Sequence, residues 1–178
     1  MRFIIILLLS LSTVNAKLSV PNIFGDNMVI QRDAPIHVWG EASPEKNVRV
    51  ILGNRDLTVK SDINGKWSLH LDALQGSNQS KSMSISCNKE TIEFDNIMIG
   101  DVWILGGQSN MEDALESIYH GDAEVISANF PSIRLITIPQ KAENEPQEDI
   151  DRINEFNAWE NRYELKGHWQ LCTPKSVA

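Results

Sequence analysis

Residues Ile97 to Leu115 read I-M-I-G-D-V-W-I-L-G-G-Q-S-N-M-E-D-A-L. The apolar run Ile97–Leu105 has the length and residue types of a buried strand. Gly106 and Gly107 supply a turn, and Gln108-Ser109-Asn110 form a polar cluster behind it. Met111, Ala114, Leu115 and Ile118 then recur at helical spacing, with Glu112, Asp113 and Glu116 between them. The pattern predicts a strand, a sharp glycine turn and a helix, with Ser109 at the bend. That placement sets a hydroxyl at the carboxyl end of a strand and the positive end of a helix, where nucleophiles and anion sites lie. Serine is also a good helix N-cap, and on periodicity alone the cap is the simpler role. Gln108 and Asn110 suit turn chemistry and substrate contact equally. Glu112 and Asp113 complement the helix dipole. The bend is not the G-x-S-x-G elbow of lipase-type hydrolases, because Met111 stands at the last glycine position.

On the amino-terminal side, from Leu18 to about Asn96, the pattern is all strand. The candidates are Leu18–Phe24, Met28–Gln31, Ile36–Gly40, Val48–Leu52, Leu57–Ser61, Trp67–Leu71, Met83–Cys87 and Thr91–Phe94. Turn clusters separate them, and Asn64-Gly65 between two such runs is a two-residue hairpin signal. Short, regularly spaced strands predict a β-sandwich over residues 17–96. Trp39, Trp67 and Trp103 lie in strand patterns and are expected in the core.

On the carboxyl side, Asp122–Phe130 suggests a helical turn and Ile133–Ile138 another strand. Strand, helix and strand in this order form the unit of a parallel sheet. Pro139–Lys166 reads as a long acidic loop, and order resumes at Gly167–Cys172. One such unit cannot cover both faces of its own sheet. Residues 97–178 are therefore expected to be the opening of an incomplete α/β domain, and the chain a fragment. The fold class is mixed: an all-β sandwich, then the start of an α/β domain.

The chain has 178 residues. Arg2, the apolar Phe3–Leu11 and the small-residue site Val14-Asn15-Ala16 compose a signal peptide over residues 1–16. The apolar stretch is too short to span a bilayer. A secreted, periplasmic or lumenal location follows, with no membrane attachment after cleavage. Without Arg2 the 16 basic residues become 15 against 24 acidic ones, a net charge of −9. That balance argues against a nucleic-acid partner. Cys87 and Cys172 permit a disulfide in an exported chain, with two buried thiols as the alternative. Asn78-Gln79-Ser80 is a glycosylation sequon that marks an exposed loop. No phosphate loop, metal-ligand spacing or redox pair occurs, so no metal or cofactor is expected.

Gly100-Asp101-Val102-Trp103 followed by Gly107-Gln108-Ser109-Asn110-Met111-Glu112 resembles the sialate O-acetylesterase family of SGNH hydrolases, whose members carry G-E-V-W and then G-Q-S-N-M-E. Phe24–Arg32 is similar to the family's F-x-D-x-M-V-L-Q-R, and Pro35–Gly40 to its P-I-x-V-W-G. Asn64–Trp67 is similar to D-G-K-W, Pro131–Leu135 to P-x-I-R-L, and Trp169–Pro174 to W-x-x-C-S-P. The similarity runs in order through nearly all of the chain after residue 16. It implies a flavodoxin-like α/β hydrolase core after the β domain, Ser109 as the nucleophile, and an acetylated carbohydrate as substrate. Asp101 stands where the family has Glu, and Leu105-Gly106 where Cys-Ser is common. The family's catalytic histidine, commonly in D-x-x-H, has no counterpart. Ala34, Trp67, Ser117 and Leu165 precede His37, His70, His120 and His168 by three residues.

The expectation is an exported carbohydrate O-acetylesterase in which Ser109 attacks the acetyl carbonyl and a downstream histidine is the base. The 178-residue chain alone is then inactive. His168 is at most a stand-in base, and His120 is expected at a helix carboxyl end. The rival reading is a secreted β-sandwich that binds glycans without catalysis.

Overall fold

The computed structural model describes residues 16–107, 113–141, 144–158 and 162–177. These residues are mostly β. Strands β1 (Val29–Gln31), β2 (Ile36–Glu41), β3 (Asn47–Leu52), β4 (Arg55–Lys60), β5 (Lys66–Leu71), β6 (Ser77–Cys87) and β7 (Glu90–Gly100) come first. A 3-10 turn (Leu115–Ser117), helix α1 (Gly121–Ser127) and strand β8 (Phe130–Leu135) follow. Strands β9 (Ile153–Asn157), β10 (Arg162–Lys166) and β11 (Gln170–Cys172) and the short helix α2 (Pro174–Val177) close the order. Among the described residues no helix is long and apolar enough to cross a membrane.

Five strands form one sheet in the order β1-β7-β6-β3-β4, and β2 pairs with β5 in a second. Alternation decides which residues face inward. Val48, Val50 and Leu52 of β3, Met83, Ile85 and Cys87 of β6, and Trp67, Leu69 and Leu71 of β5 enter one shared core. Arg49 and Ser68 point outward between them. Ser61 is the buried polar exception. Its hydroxyl donates to the Ser43 carbonyl at 2.7 Å and accepts from the Lys46 N–H at 3.0 Å.

Several elements differ from the sequence reading. Leu18–Phe24 is not a strand: only Ser19 bridges Glu41, and Pro21 has no N–H to extend a ladder. Asn64-Gly65 does not make a hairpin, because β4 pairs with β3 and β5 with β2. The turn instead carries the chain from one sheet to the other. The Asp62 carboxylate accepts the N–H groups of Asn64 and Lys66, both at 2.8 Å. Gly65 has φ +86, and a Cβ there would lie 2.4 Å from the Ala42 carbonyl oxygen. The two-residue hairpin loops are Gly53-Asn54 and Asn88-Lys89. The sequon residue Asn78 is exposed, but on β6 rather than in a loop.

Thr91–Phe94 and the start of the Ile97–Leu105 run are one strand, β7, which passes through Asn96 on a register shift. Ile97 and Ile99 belong to the β core, and the strand ends at Gly100. Val102, Trp103, Ile104 and Leu105 are exposed instead of forming a buried strand. Between residues 113 and 120 only the 3-10 turn is helical. β8 pairs antiparallel with β11, so no parallel strand–helix–strand unit forms among the described residues. The acidic stretch expected as loop contains the β9–β10 hairpin. Cys87 and Cys172 are buried free thiols.

Candidate functional site

Gln108, Ser109 and Asn110 lie outside the described residues, as do Met111 and Glu112. The signal peptide does so too, apart from Ala16. The structure does describe how the chain approaches Ser109. β1 runs parallel to β7 with Val29, Ile30 and Gln31 opposite Met98, Ile99 and Gly100. The Met98 N–H donates to the Met28 carbonyl at 3.0 Å, and the Arg32 N–H to the Gly100 carbonyl at 2.9 Å. One residue on, the Gln31 side-chain carbonyl accepts the Val102 N–H at 2.9 Å. The Arg32 guanidinium meets the Asp101 carboxylate at 2.9 Å, a bond that raises the Arg32 pKa. Phe24–Arg32 and Gly100–Trp103 are separate similarity blocks in the sequence; in the fold the end of the first clamps the second. The ion pair is exposed, so its contribution to stability is small and its effect is to direct the exit from β7.

Arg134, from the I-R-L segment, bonds the Pro131 carbonyl and reaches the Asn96 side chain at 3.4 Å. It thereby ties β8 to the bulge in β7. Burial lowers its pKa.

A second region comes from the outward face of β2 and β5. His37 and His70 are directly opposite across the strands. Their rings stack at 4.4 Å and 7°, and Trp39 stacks on His37 at 4.6 Å and 22°. His37 Nε2 shares a 2.8 Å hydrogen bond with the Ser68 hydroxyl. This is a serine–histidine contact but not a triad. His37 interacts with Ser68, His70 and Trp39, and among the described residues no carboxylate orients its ring as a catalytic base requires. Burial, and secondarily His70, lowers the His37 pKa. Sequence reading placed Trp39 in the core, but it is only partly buried there. Trp67 is buried as expected, and Trp103 is 82% exposed.

The acidic segment packs on this region. Asp149 accepts the Asn22 N–H at 2.7 Å, and the Asn22 amide donates to the Ile150 carbonyl at 2.9 Å. Arg152 donates to the carbonyls of Asn22 and Phe24 at 2.9 and 2.6 Å. The Trp169 indole donates to the Ile23 carbonyl at 2.8 Å. His168 beside it has a pKa lowered by burial and then by Arg152, and no described serine contacts it. His120 sits at the amino-terminal end of α1, in the left-handed region at φ 61, not at a helix carboxyl end. The chain starts a new helix at Gly121, where a Cβ would collide with the Leu115 carbonyl.

No family model matches the chain. Sialate O-acetylesterases from Homo sapiens and Pongo abelii are each 26% identical over 132 residues, 67% of this chain and 25% of theirs. That of Mus musculus is 23% identical over 138 residues, 71% of this chain and 26% of its own. A solved carbohydrate acetylesterase from Xanthomonas citri superposes with a TM-score of 0.77 at 27% identity, covering 89% of this chain and 33% of that one. The chain thus spans about a quarter of the length of the curated relatives it matches. The likeness to the sialate O-acetylesterase family holds over most of this chain and extends to its fold.

Proposed function

We propose that this chain is the nucleophile-bearing part of an exported carbohydrate O-acetylesterase. Ser109 would be the nucleophile, with Gln108 and Asn110 beside it as substrate or oxyanion contacts. The observation that carries the reading is the clamp on the approach. Gln31 and Arg32 hold Asp101 and Val102 just where the chain leaves β7 for Gly107-Gln108-Ser109-Asn110-Met111-Glu112. A core strand fixed at its exit is the kind of rigid support a catalytic hydroxyl needs. The architecture that fits is a β-sandwich that runs to the end of β7 at Gly100, then the opening of an α/β hydrolase core. Trp103, Ile104 and Leu105, exposed at 82, 95 and 78%, give that core an apolar surface to pack on.

In the proposed reaction the Ser109 oxygen attacks the acetyl carbon while a base takes its proton. Backbone and amide N–H groups stabilise the oxyanion. The sugar leaves as an alcohol, carrying the proton back from the base. Water, activated by the same base, then releases acetate. None of the four histidines has an aspartate three residues before it, and among the described residues no carboxylate orients His37 or His168. We therefore assign the base to sequence outside this stretch. Residues 1–16 would direct export and be removed.

The experiment is an aryl-acetate and acetylated-sugar assay on the 178-residue chain and on the longer gene product. The chain alone should show no turnover, since loss of a triad base costs on the order of a million-fold. The longer product should be active and lose that activity in Ser109→Ala. A Ser109→Ala product that keeps the wild-type rate rejects the nucleophile.

A further inference from the structure

We propose that the outward face of β2 and β5, walled by the acidic segment around Asp149, is a second carbohydrate site that holds a neutral oligosaccharide. It goes beyond the esterase reading and uses none of the Ser109 block. The face borders an open hollow of about 820 Å³, which adjoins another of about 430 Å³. Trp39 lines both, so an indole stands where the two hollows adjoin. Pro21, Glu148 and Asp149 are also common to both. This volume is in the range of small-molecule sites.

The chemistry of the lining favours a polyol. Trp39 and His37 line the first hollow, and since Trp39 and His70 cover the two faces of the His37 ring, the aromatic surface left to a ligand is that of Trp39. Aromatic faces pack against the C–H faces of sugar rings, and such amphipathic groups bind where one side is apolar and the other wet. Glu41, Asp62, Glu148 and Asp149 supply carboxylate acceptors for hydroxyl pairs. Asp62 and Asp149 are partly engaged by backbone N–H groups. Glu41 has no side-chain hydrogen bond or ion pair among the described residues, so both its oxygens are open.

An independent observation lies in the wall. Trp67 lines the same hollow, is 3% exposed, and its indole N–H has no acceptor among the described residues. Buried donors of this kind are rare. Charge sets the selectivity. Lys66 lies 4.0 Å from Glu148 and is outnumbered by carboxylates. A sugar acid would be repelled, whereas an uncharged saccharide is not.

The test is calorimetric titration of the full chain with two neutral β-linked tetrasaccharides, cellotetraose and xylotetraose, and with 3′-sialyllactose. Saturable binding of at least one neutral probe is expected at roughly millimolar affinity or better, with sialyllactose at least about tenfold weaker. Trp39→Ala and Glu41→Ala should each weaken the neutral probe by about tenfold. Glu41 is exposed and without a side-chain partner, so its variant keeps the fold even if Trp39→Ala does not. Ser109→Ala should bind as the parent does. No saturable binding of either neutral probe overturns the proposal. So does binding that Glu41→Ala leaves unchanged, or sialyllactose bound as tightly as the neutral sugars. Neutral-sugar binding alongside an inactive longer product would reject the esterase reading alone.

Discussion

Replacing Gln31 by Ala tests whether the exit from β7 is clamped as described. Gln31 is exposed at the end of β1, and its side-chain oxygen holds the Val102 N–H at 2.9 Å. Truncation opens no cavity in the core and leaves the Met98 and Gly100 backbone bonds in place. The lost hydrogen bond is worth about 0.5–1.5 kcal/mol. Because 101–107 has no strand partner, that energy should appear as easier local opening rather than global unfolding. The Val102 amide should then exchange roughly 2- to 13-fold faster, the range those energies give at RT of about 0.59 kcal/mol. The melting temperature should move by less than about 2 °C, since about 1 kcal/mol corresponds to 2–4 °C in a chain of this size. Hydrogen exchange read at single-residue resolution on Gln31→Ala and on the parent measures both. An unchanged Val102 rate would mean that the side chain holds nothing. A large drop in melting temperature would mean that Gln31 serves the β core and not the exit.

Gly65→Ala should destabilise the chain by about 2 kcal/mol or more in thermal or denaturant unfolding, since φ is +86 and the new Cβ would meet the Ala42 oxygen at 2.4 Å; a neutral result would refute the turn geometry. His37 and His168 have pKa values held below 6.5, chiefly by burial. Between 6.5 and those lower values the unfolded chain binds more protons, so stability is full above about pH 6.5 and falls as the pH drops through it. Melting temperatures across that window should fall, and less steeply in a His37→Asn, His168→Asn double variant; a flat parent profile would contradict the assignment. Both cysteines are buried free thiols, and burial raises the Cys87 pKa. A thiol reagent should label neither in the folded chain and both in denaturant, and reductant should leave the melting temperature unchanged; labelling of fewer than two thiols in non-reducing denaturant would reveal a disulfide.

What the sequence made legible was local. Alternation in Val48-Arg49-Val50 and in Trp67-Ser68-Leu69-His70-Leu71 gave β3 and β5 and their inward residues, because a half-buried strand imposes a period of two. Turn clusters between the strand patterns marked where the chain reverses. Asn64-Gly65 shows where that stops: the residues mark a turn with positive φ, but which strands flank it as partners depends on the distant β2 and β3. The β9–β10 hairpin was missed because its stretch is acidic and low in aliphatics, and the alternation in Arg162-Tyr163-Glu164-Leu165-Lys166 runs for only five residues. At the candidate site, Gln31, Arg32, Asp101 and Val102 were noticed only through likeness to a family. Nothing in their spacing, some 70 residues apart, announces that they touch. The ring stack of His37, Trp39 and His70 was equally hidden, since it needs the β2–β5 register to bring the two histidines opposite each other.

The divided fate of Ile97–Leu105 connects these points to function. Its nine residues are apolar enough to read as one buried strand, yet Ile97 and Ile99 are enclosed while Trp103 and Ile104 are bare. Composition cannot account for the difference; pairing can. Up to Gly100, β7 has β1 on one side and β6 on the other. β1 ends at Gln31, and the first residue of β6 already pairs with Ile99. From Asp101 onward no strand among the described residues takes up the backbone, so the side chains lose their sheet. The last groups able to act on the departing chain are the Gln31 and Arg32 side chains, and both do. An apolar run is thus a requirement for cover that the sequence states without naming what covers it. That requirement falls on the four residues before Gly106-Gly107, which precede the serine proposed to do the chemistry. Burial of this apolar face and positioning of Ser109 should therefore be one event, so that Trp103→Ala in the longer gene product should reduce turnover although the indole is remote from the proposed reaction in sequence.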